Sequence, residues 1–150
     1  MIEFVSKHNL HEVLPLIADY QDFYQVSDIS PQRNAAFFAQ FSANSPLGCQ
    51  FAYRKNQQVI GFATVYFSYS STQATKIAVL NDLFILPQHR HQGYAQQLIK
   101  HCQQFALRKK AHRLQWLTAQ DNHAAQGLYD TLPTTKSSWY LYTLTALNAA

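Results

Sequence analysis

The sequence predicts an α+β fold, or a mixed α/β fold, with helices on both faces of one central sheet. Apolar residues recur with helical spacing in four segments and with strand spacing in six, in the order β-α-α-β-β-β-α-β-α-β. Antiparallel hairpins come first and a β-α-β crossover follows, which is expected to be right-handed. The chain has 150 residues, 47% of them hydrophobic, so residues 1–150 are expected to form one domain with a sizeable core.

The first third of the chain predicts one strand and two helices. Residues 2–6 are typical of a strand, and Asn9 begins a helix with Glu12 three positions later, which is a capping-box pattern. Ser30 followed by Pro31 predicts the start of the second helix. The buried face of that helix is expected to be aromatic: Phe37, Phe38 and Phe41.

The rest of the chain predicts a hairpin, a long central strand and two further helices. A turn at 56–58 separates strands over 49–54 and 59–69. The remaining elements are a strand over 76–86, a helix over 94–110, a strand over 113–118, a helix over 122–131 and a strand over 138–145.

A loop with one glycine joins the long central strand to the third helix, in the stretch Arg90-His91-Gln92-Gly93-Tyr94-Ala95. The first N–H groups of a helix are unpaired and carry partial positive charge, so a phosphate fits there. Gly93 lets the backbone approach a ligand closely, and the small side chain of Ala95 leaves the next turn uncrowded. This position predicts a phosphate-binding loop.

Composition and charge argue against several classes of protein. The net charge of +4 is compatible with a polyanionic ligand, but no aromatic–basic motif of a nucleic-acid-binding module is present, so no nucleic-acid partner is expected. The two cysteines and seven histidines show no metal-ligand spacing, so no metal is expected. No signal peptide or membrane span is recognisable, and we expect a cytoplasmic protein without a membrane partner.

Three stretches stand out: Asp82-Leu83-Phe84-Ile85-Leu86-Pro87, the stretch from Arg90 to Ala95, and Asn122-His123-Ala124-Ala125-Gln126-Gly127-Leu128-Tyr129. Together they resemble the GCN5-related N-acetyltransferase (GNAT) superfamily. The acids and aromatic residues at 19–28 resemble its small-amine and polyamine subgroup. His91 departs from the pattern, because many members have a glycine there. The resemblance implies a mostly antiparallel, twisted sheet of six to seven strands, and acetyl-CoA as co-substrate.

The resemblance also implies where acetyl-CoA binds. Its pantetheine would pair with the backbone of Phe84, Ile85 and Leu86, and the Ile85 N–H would point at the thioester carbonyl, where a donor stabilises the developing oxyanion. Asn122 and Tyr129 would complete the site. Its pyrophosphate would sit on the loop formed by Arg90, His91, Gln92, Gly93, Tyr94, Ala95 and Gln96.

Two residues are candidate catalytic groups. Tyr129 lies two helical turns after Asn122 and would protonate the departing thiolate; the alternative is a tyrosine that only packs against the cofactor. Asp82 is the only acid in the long strand, where desolvation would raise its pKa. It is expected to be a base or an amine anchor, and the alternative is a structural carboxylate.

An acidic and aromatic segment is the candidate acceptor site. Asp19, Asp22, Tyr24 and Asp28 fall where the resemblance places the substrate, and acids with aromatic faces suit a cationic amine. The alternative is a solvated helix end.

The resemblance implies an enzyme that transfers an acetyl group directly from acetyl-CoA to a primary amine of a small cationic substrate, such as a polyamine or an amino acid. A protein-lysine or N-terminal acetyltransferase is one alternative, and a non-catalytic CoA-binding module is another. The aromatic last strand predicts an exposed edge and a homodimer, unless the chain's own loops or helices cover that edge.

Overall fold

The computed structural model describes residues 1–146, and the chain divides into two compact units, Met1–Leu117 and a second that begins at Thr118. The first unit contains β1 (Ile2–Phe4), α1 (Leu10–Phe23), α2 (Pro31–Phe38), β2 (Gly48–Lys55), β3 (Gln58–Ser70), β4 (Thr75–Ile85), a 3-10 turn (Pro87–His89), α3 (Tyr94–Arg108) and β5 (Leu114–Gln115). The second unit contains α4 (His123–Tyr129).

The sheet of the first unit has five strands in the order β1-β2-β3-β4-β5, rather than six to seven. Every pairing is antiparallel except that of β4 with β5, which is parallel and limited to Ala78 with Leu114 and Val79 with Gln115. The mixed α/β class and the mostly antiparallel sheet are therefore confirmed, whereas the strand count is wrong.

The missing strand is the last one. Residues 138–145 form no strand in the described part of the chain, and their large apolar side chains, among them Trp139 and Leu144, are exposed. An apolar and aromatic pattern supplies β-propensity, but a strand exists only through its ladder with a neighbour. The homodimer, which was inferred from this strand, stays a prediction.

Helices cover both faces of the sheet, as predicted. Successive residues of a strand point to opposite faces. On β2, Ala52 packs into the core cluster formed with α1, while the ring of Phe51 lies 5.2 Å from that of Phe105 on α3. The cluster on the α1 face also contains Val5, Leu10, Val13, Leu16, Ile17, Phe38, Phe41, Val59, Phe62 and Phe84.

The capping box predicted at the start of α1 is wrong. The Asn9 side chain makes no cap to the helix; its Oδ1 accepts instead from the Ser6 backbone N–H at 2.7 Å. Glu12 turns away to Arg54, whose guanidinium donates to both of its carboxylate oxygens at 2.8 and 2.9 Å. A charge-assisted, bidentate pair is stronger than the bond to a backbone N–H that the box would provide.

The start of α2 is as predicted, but one of its aromatic residues is not buried. The Ser30 hydroxyl accepts from the Arg33 backbone N–H at 3.2 Å, and Pro31 is the first helical residue. Phe38 and Phe41 are buried, whereas Phe37 is 43% exposed. Adjacent residues on a helix point about 100° apart, so Phe37 and Phe38 cannot both face the sheet.

Two kinds of feature are missing from residues 1–146. No helix there is long and apolar enough to cross a membrane. No group of three or more histidine, cysteine, aspartate or glutamate side chains is arranged there to hold a metal ion.

Candidate active site

The loop between β4 and α3 presents unpaired backbone donors. Gly93 caps α3 with a left-handed backbone, φ 83°, and no side chain caps the helix. The Gln97 N–H donates to the Gly93 carbonyl at 3.1 Å, which leaves the N–H groups of Tyr94, Ala95 and Gln96 without a partner in the helix. A Cβ added at Gly93 would meet nothing within 4 Å, so the approach to these donors is open.

Two side chains shape this loop in ways the sequence only partly indicated. His91 has φ 60°, in the left-handed region that favours glycine, and glycine is the residue the family pattern often has there. Lys55, at the end of β2, was not predicted: its Nζ lies 3.4 Å from Gln92 Oε1 and 5.1 Å from the centroid of the Tyr94 ring. Only the pairing of the strands brings this cation to the loop.

Arg90 ties the loop to the end of β4. Its Nε donates to the Ile85 carbonyl at 2.9 Å, and its guanidinium carbon lies 5.5 Å from the centroid of the Phe84 ring. The side chain therefore has a positioning role, which its prediction as a phosphate ligand did not include.

At the end of β4 one edge is not covered by β5; Arg90 binds the Ile85 carbonyl there and the Ile85 N–H is left. The Leu86 N–H donates to the Ile60 carbonyl at 2.8 Å, so the polar backbone groups of Leu86 point towards β3. Those of Ile85, one residue earlier, point to the opposite edge, because directions alternate along a strand. β5 pairs with β4 only as far as Val79, and the Ile85 N–H is therefore on an edge that β5 leaves uncovered.

Asp82 is a buried carboxyl group with one free oxygen. It is 5% exposed, its Oδ1 accepts from Asn81 Nδ2 at 3.0 Å, and its Oδ2 has no hydrogen-bond partner among residues 1–146. Burial raises the pKa of Asp82, while donors offered by Thr64, Tyr20 and Asn81 oppose that shift without cancelling it. A carboxyl group in this state takes up a proton more readily than an exposed one, and its Oδ2 is left to accept a hydrogen bond.

Asp82 ends a row of three buried polar side chains across the sheet. Gln50 on β2 pairs with Thr64 on β3, and Thr64 pairs with Asp82 on β4. Gln50 Nε2 donates to Thr64 Oγ1 at 3.2 Å, and Gln50 Oε1 has no partner in the described chain. Sequence reasoning missed Gln50 and Thr64, because only the strand register reveals that they are neighbours of Asp82.

Aromatic rings connect this row with the surface of α1. The Tyr20 ring lies 5.7 Å from that of Phe62 and 6.2 Å from that of Phe84, and its hydroxyl is one of the groups that act on Asp82. On its other side Tyr20 lies 5.0 Å from the ring of Tyr24, which is 56% exposed. Tyr20 is a site residue that the sequence analysis did not predict.

The structure does not gather the three predicted acids of the acceptor segment into the buried centre. Asp19 and Asp22 are exposed on α1. Asp28 is exposed as well and forms an ion pair with Arg33, with 3.4 Å between the charged atoms. These carboxylates belong to the outer surface, whereas Asp82 lies within the core.

The second unit holds the remaining predicted site residues. Asn122 caps α4, because its Oδ1 accepts from the Ala125 N–H at 3.2 Å. Tyr129 is the last residue of the helix and is half-buried. The roles predicted for both at the cofactor stay predictions.

Comparison with known proteins supports the reading of the motifs. YhfO, an uncharacterized N-acetyltransferase of Bacillus subtilis (strain 168), is 29% identical over 119 residues, which cover 79% of this chain and 78% of that protein. A thialysine N-epsilon-acetyltransferase of Bos taurus is 34% identical over 74 residues, which cover 49% of this chain and 43% of that protein.

The fold is shared with solved structures. The crystal structure of a probable acetyltransferase has a TM-score of 0.85 and 24% identity over 99% of both chains. AAC(6')-Iy in complex with the bisubstrate analog CoA-S-monomethyl-acetylneamine has a TM-score of 0.81 and 18% identity over 98% of both chains.

The family assignment follows from a match that extends along most of the chain. Residues 13–132 match the acetyltransferase (GNAT) family, and this range includes all three stretches that carried the resemblance. The predictions of an N-acetyltransferase and of acetyl-CoA as co-substrate are thereby confirmed. The chain belongs to the acetyltransferase (GNAT) family.

Proposed function

We propose that this enzyme transfers the acetyl group of acetyl-CoA directly to a primary amine of a small cationic substrate, such as a polyamine or an amino acid. The observation that carries the proposal is the buried Asp82 carboxyl group, whose Oδ2 has no hydrogen-bond partner in the described chain. Buried polar atoms without partners are rare in folded proteins, and at a functional site they await a ligand.

A primary ammonium group supplies what Asp82 lacks. It brings N–H donors and a positive charge to the unpaired oxygen, and it must lose a proton before its nitrogen can attack an acyl group. Because burial raises the pKa of Asp82, the carboxylate is a better proton acceptor than an exposed aspartate. Asp82 would first anchor the amine and then take its proton.

The exposed end of α1, which the rings of Tyr24 and Tyr20 connect with Asp82, suits a cation. Tyr24 and Phe23 are exposed at the end of α1, and cations are attracted to aromatic faces. Asp19 and Asp22 add negative charge to the same helix, which would draw a cationic amine towards it. The name of the Bos taurus relative supports an acceptor with a side-chain amino group, although the alignment covers only part of either chain.

The loop at residues 90–96 and the edge of β4 that β5 leaves uncovered fit acetyl-CoA, whose thioester supplies the acetyl group. The unpaired N–H groups beside Gly93 would hold the pyrophosphate, and Lys55 adds a positive charge at the loop. The pantetheine arm would lie along Phe84, Ile85 and Leu86, with the Ile85 N–H, which points away from β3, directed at the thioester carbonyl. The open space at Gly93 and the uncovered edge beyond Val79 support this assignment.

Tyr129 is proposed as the general acid that gives its phenol proton to the departing sulfur, on the strength of the motif at residues 122–129. Tyr129→Phe is expected to lower kcat by about a hundredfold, within the range of general acid catalysis, and to leave the Kd for acetyl-CoA unchanged. An unchanged kcat would remove the assignment.

A calorimetric titration of acetyl-CoA tests the cofactor site. Wild type is expected to bind, and Gly93→Asp is expected to weaken binding at least about tenfold, since it sets a carboxylate against a phosphate and strains a left-handed backbone. Gln103→Asp, which adds the same charge at an exposed position of α3, is the matched control and should bind like wild type. A wild-type protein that binds no acetyl-CoA would refute the proposal.

A panel of acceptors, assayed by CoA release, then tests the substrate class. Small polyamines and lysine-like amino acids are expected to be better acceptors than lysine-containing peptides of equal concentration. A clear preference for peptides would favour a protein acetyltransferase instead, and no release with any amine would favour a non-catalytic module.

A further inference from the structure

Gln50, Thr64 and Asp82 form a row of buried polar side chains across three adjacent strands. Gln50 and Thr64 are both 0% exposed, and their positions on β2 and β3 follow from the register of three adjacent strands. Polar side chains buried this deeply lower the free energy of unfolding unless hydrogen bonds satisfy them. Within the part of the chain that the structure describes, two acceptor atoms of the row have no hydrogen-bond partner: Gln50 Oε1 and Asp82 Oδ2, one at each end.

The donor and the acceptor of each hydrogen bond in this row follow from the protons that the side chains carry. A threonine hydroxyl has one proton to donate and two lone pairs to accept with. Since Gln50 Nε2 donates to Thr64 Oγ1 at 3.2 Å, the hydroxyl serves there as acceptor and its own proton remains for another group. The next acceptor along the row is the Asp82 carboxylate, which is the register partner of Thr64.

We propose that Gln50 and Thr64 are positioning residues, in which the Gln50 amide fixes the Thr64 hydroxyl so that its proton is offered to Asp82. We call these two hydrogen bonds, from Gln50 to Thr64 and from Thr64 to Asp82, the relay. The relay stabilises the charged form of the buried Asp82 carboxylate. Its effect on catalysis rests on the proposed role of Asp82 as proton acceptor. Neither residue needs to touch the substrate.

Tyr20 and Asn81 also donate hydrogen bonds to Asp82, but neither changes charge over the range in which a carboxyl group titrates. Asn81, next to it in the chain, donates an amide N–H and does not titrate. Tyr20 from α1 and Tyr66 from β3 are the titratable groups that face Asp82; burial raises the pKa of both, that of Tyr66 to about 12. Both phenols are neutral over the range in which a carboxyl group titrates, so the change of charge there belongs to Asp82.

The alternative orientation of the Gln50 amide makes the opposite prediction. With the amide turned over, its oxygen would accept the Thr64 proton and compete with Asp82 for it. Removing the Gln50 side-chain amide would then lower the pKa of Asp82, whereas in the proposed orientation it raises that pKa.

The test is a ¹³C NMR titration of the Asp82 carboxyl group in the full-length protein. Thr64→Val is expected to raise its pKa by about one unit, because a hydrogen bond to a charged group is lost. Gln50→Met is expected to raise it by a smaller amount, since the hydroxyl remains but is no longer held. Thr64→Ser keeps the hydroxyl and should titrate like wild type.

Cys49→Ala is the matched control, a buried change on the same strand whose side chain lies on the other face of the sheet. It should leave the titration of Asp82 unchanged. An unchanged pKa in both Thr64→Val and Gln50→Met, or a lowered pKa in Gln50→Met, would overturn the relay.

The pH profile of kcat/KM separates this inference from the proposed function. If the relay and the role of Asp82 both hold, the acid limb of the Thr64→Val profile lies at higher pH than that of wild type, by the same amount as the rise in the pKa of Asp82. If the pKa of Asp82 rises in Thr64→Val but the acid limb of kcat/KM is the same as in wild type, the relay is upheld and Asp82 is refuted as the proton acceptor.

Discussion

Carboxyl groups occupy two contrasting environments in the first unit. Glu3 and Glu12 share the guanidinium of Arg54, with shortest contacts of 2.8 Å to each, and hydrogen bonding to Arg54 holds the pKa of both below its usual range. Asp82 is more deeply buried, has an amide and hydroxyls around it in place of a guanidinium, and has a raised pKa.

The difference separates a structural site from a candidate catalytic one. The Arg54 cluster satisfies its charges within the protein, and it joins β1, α1 and β2. No cation among residues 1–146 compensates the burial of the Asp82 carboxyl group, which is typical of sites where a ligand or a proton completes the arrangement. A protein tolerates such local cost where function requires it.

The largest effect on stability is expected at the paired site. Arg54→Met removes the partner of two carboxylates, so the melting temperature should fall at pH 7. Because the pKa values of Glu3 and Glu12 are lowered by folding, this stabilisation is present above their ordinary values and is lost as pH falls through the lowered ones. The difference from wild type should therefore shrink in acid.

Arg33→Met is the matched control for that measurement, since the ion pair of Arg33 with Asp28 is exposed on both sides. It should hardly change the melting temperature. Equal losses in Arg33→Met and Arg54→Met would contradict the distinction between the two sites.

A smaller effect of opposite sign is expected at Asp82. Asp82→Asn removes a buried charge and should stabilise the protein at pH 8 by about 1 kcal/mol. Folding raises the pKa of Asp82, so its contribution to stability is present below the ordinary value and is lost as pH rises through the raised one. Thermal melts at pH 4 and pH 8 would show the gain only at the higher pH; a loss of stability at pH 8 would indicate a structural carboxylate.

The smallest effect is expected at the exposed acids of α1. Asp22→Lys should raise KM for a cationic amine about threefold, as is usual for a solvent-screened charge, and should leave kcat unchanged. Steady-state assays at low and high salt would detect it, with the difference fading at high salt. An unchanged KM at low salt would show that this surface is only a solvated helix end.

The sequence carried the parts of the site that are local along the chain. A strand, one glycine and an amphipathic helix follow one another around Gly93, so the loop and its unpaired donors could be predicted from neighbours in sequence. Asp82 stood out as the single acid in an apolar strand. The order of the predicted helices and strands indicated the fold class, and the three motifs indicated the family.

The parts that failed depend on contacts between distant residues. Glu12 binds Arg54, 42 positions away, instead of forming the predicted capping box. Residues 138–145 have strand propensity but no ladder partner in the described chain. The row of Gln50, Thr64 and Asp82 could not be predicted, because the pairing of β3 with β4 shifts register between Thr64 and Val65 and leaves Asn81 without a register partner on β3. A register that shifts once changes which side chains meet.

The central claim is that the buried Asp82 carboxylate, whose Oδ2 has no hydrogen-bond partner in the described chain, takes the proton of the amine substrate. Its most direct test is the pH dependence of kcat/KM for CoA release with a small diamine, in wild type and in Asp82→Asn, both saturated with acetyl-CoA. Wild type should show an acid limb that the variant lacks, and the variant should be at least about a hundredfold slower at the optimum, as expected for the loss of a general base. Two profiles of the same shape and similar height would contradict the claim.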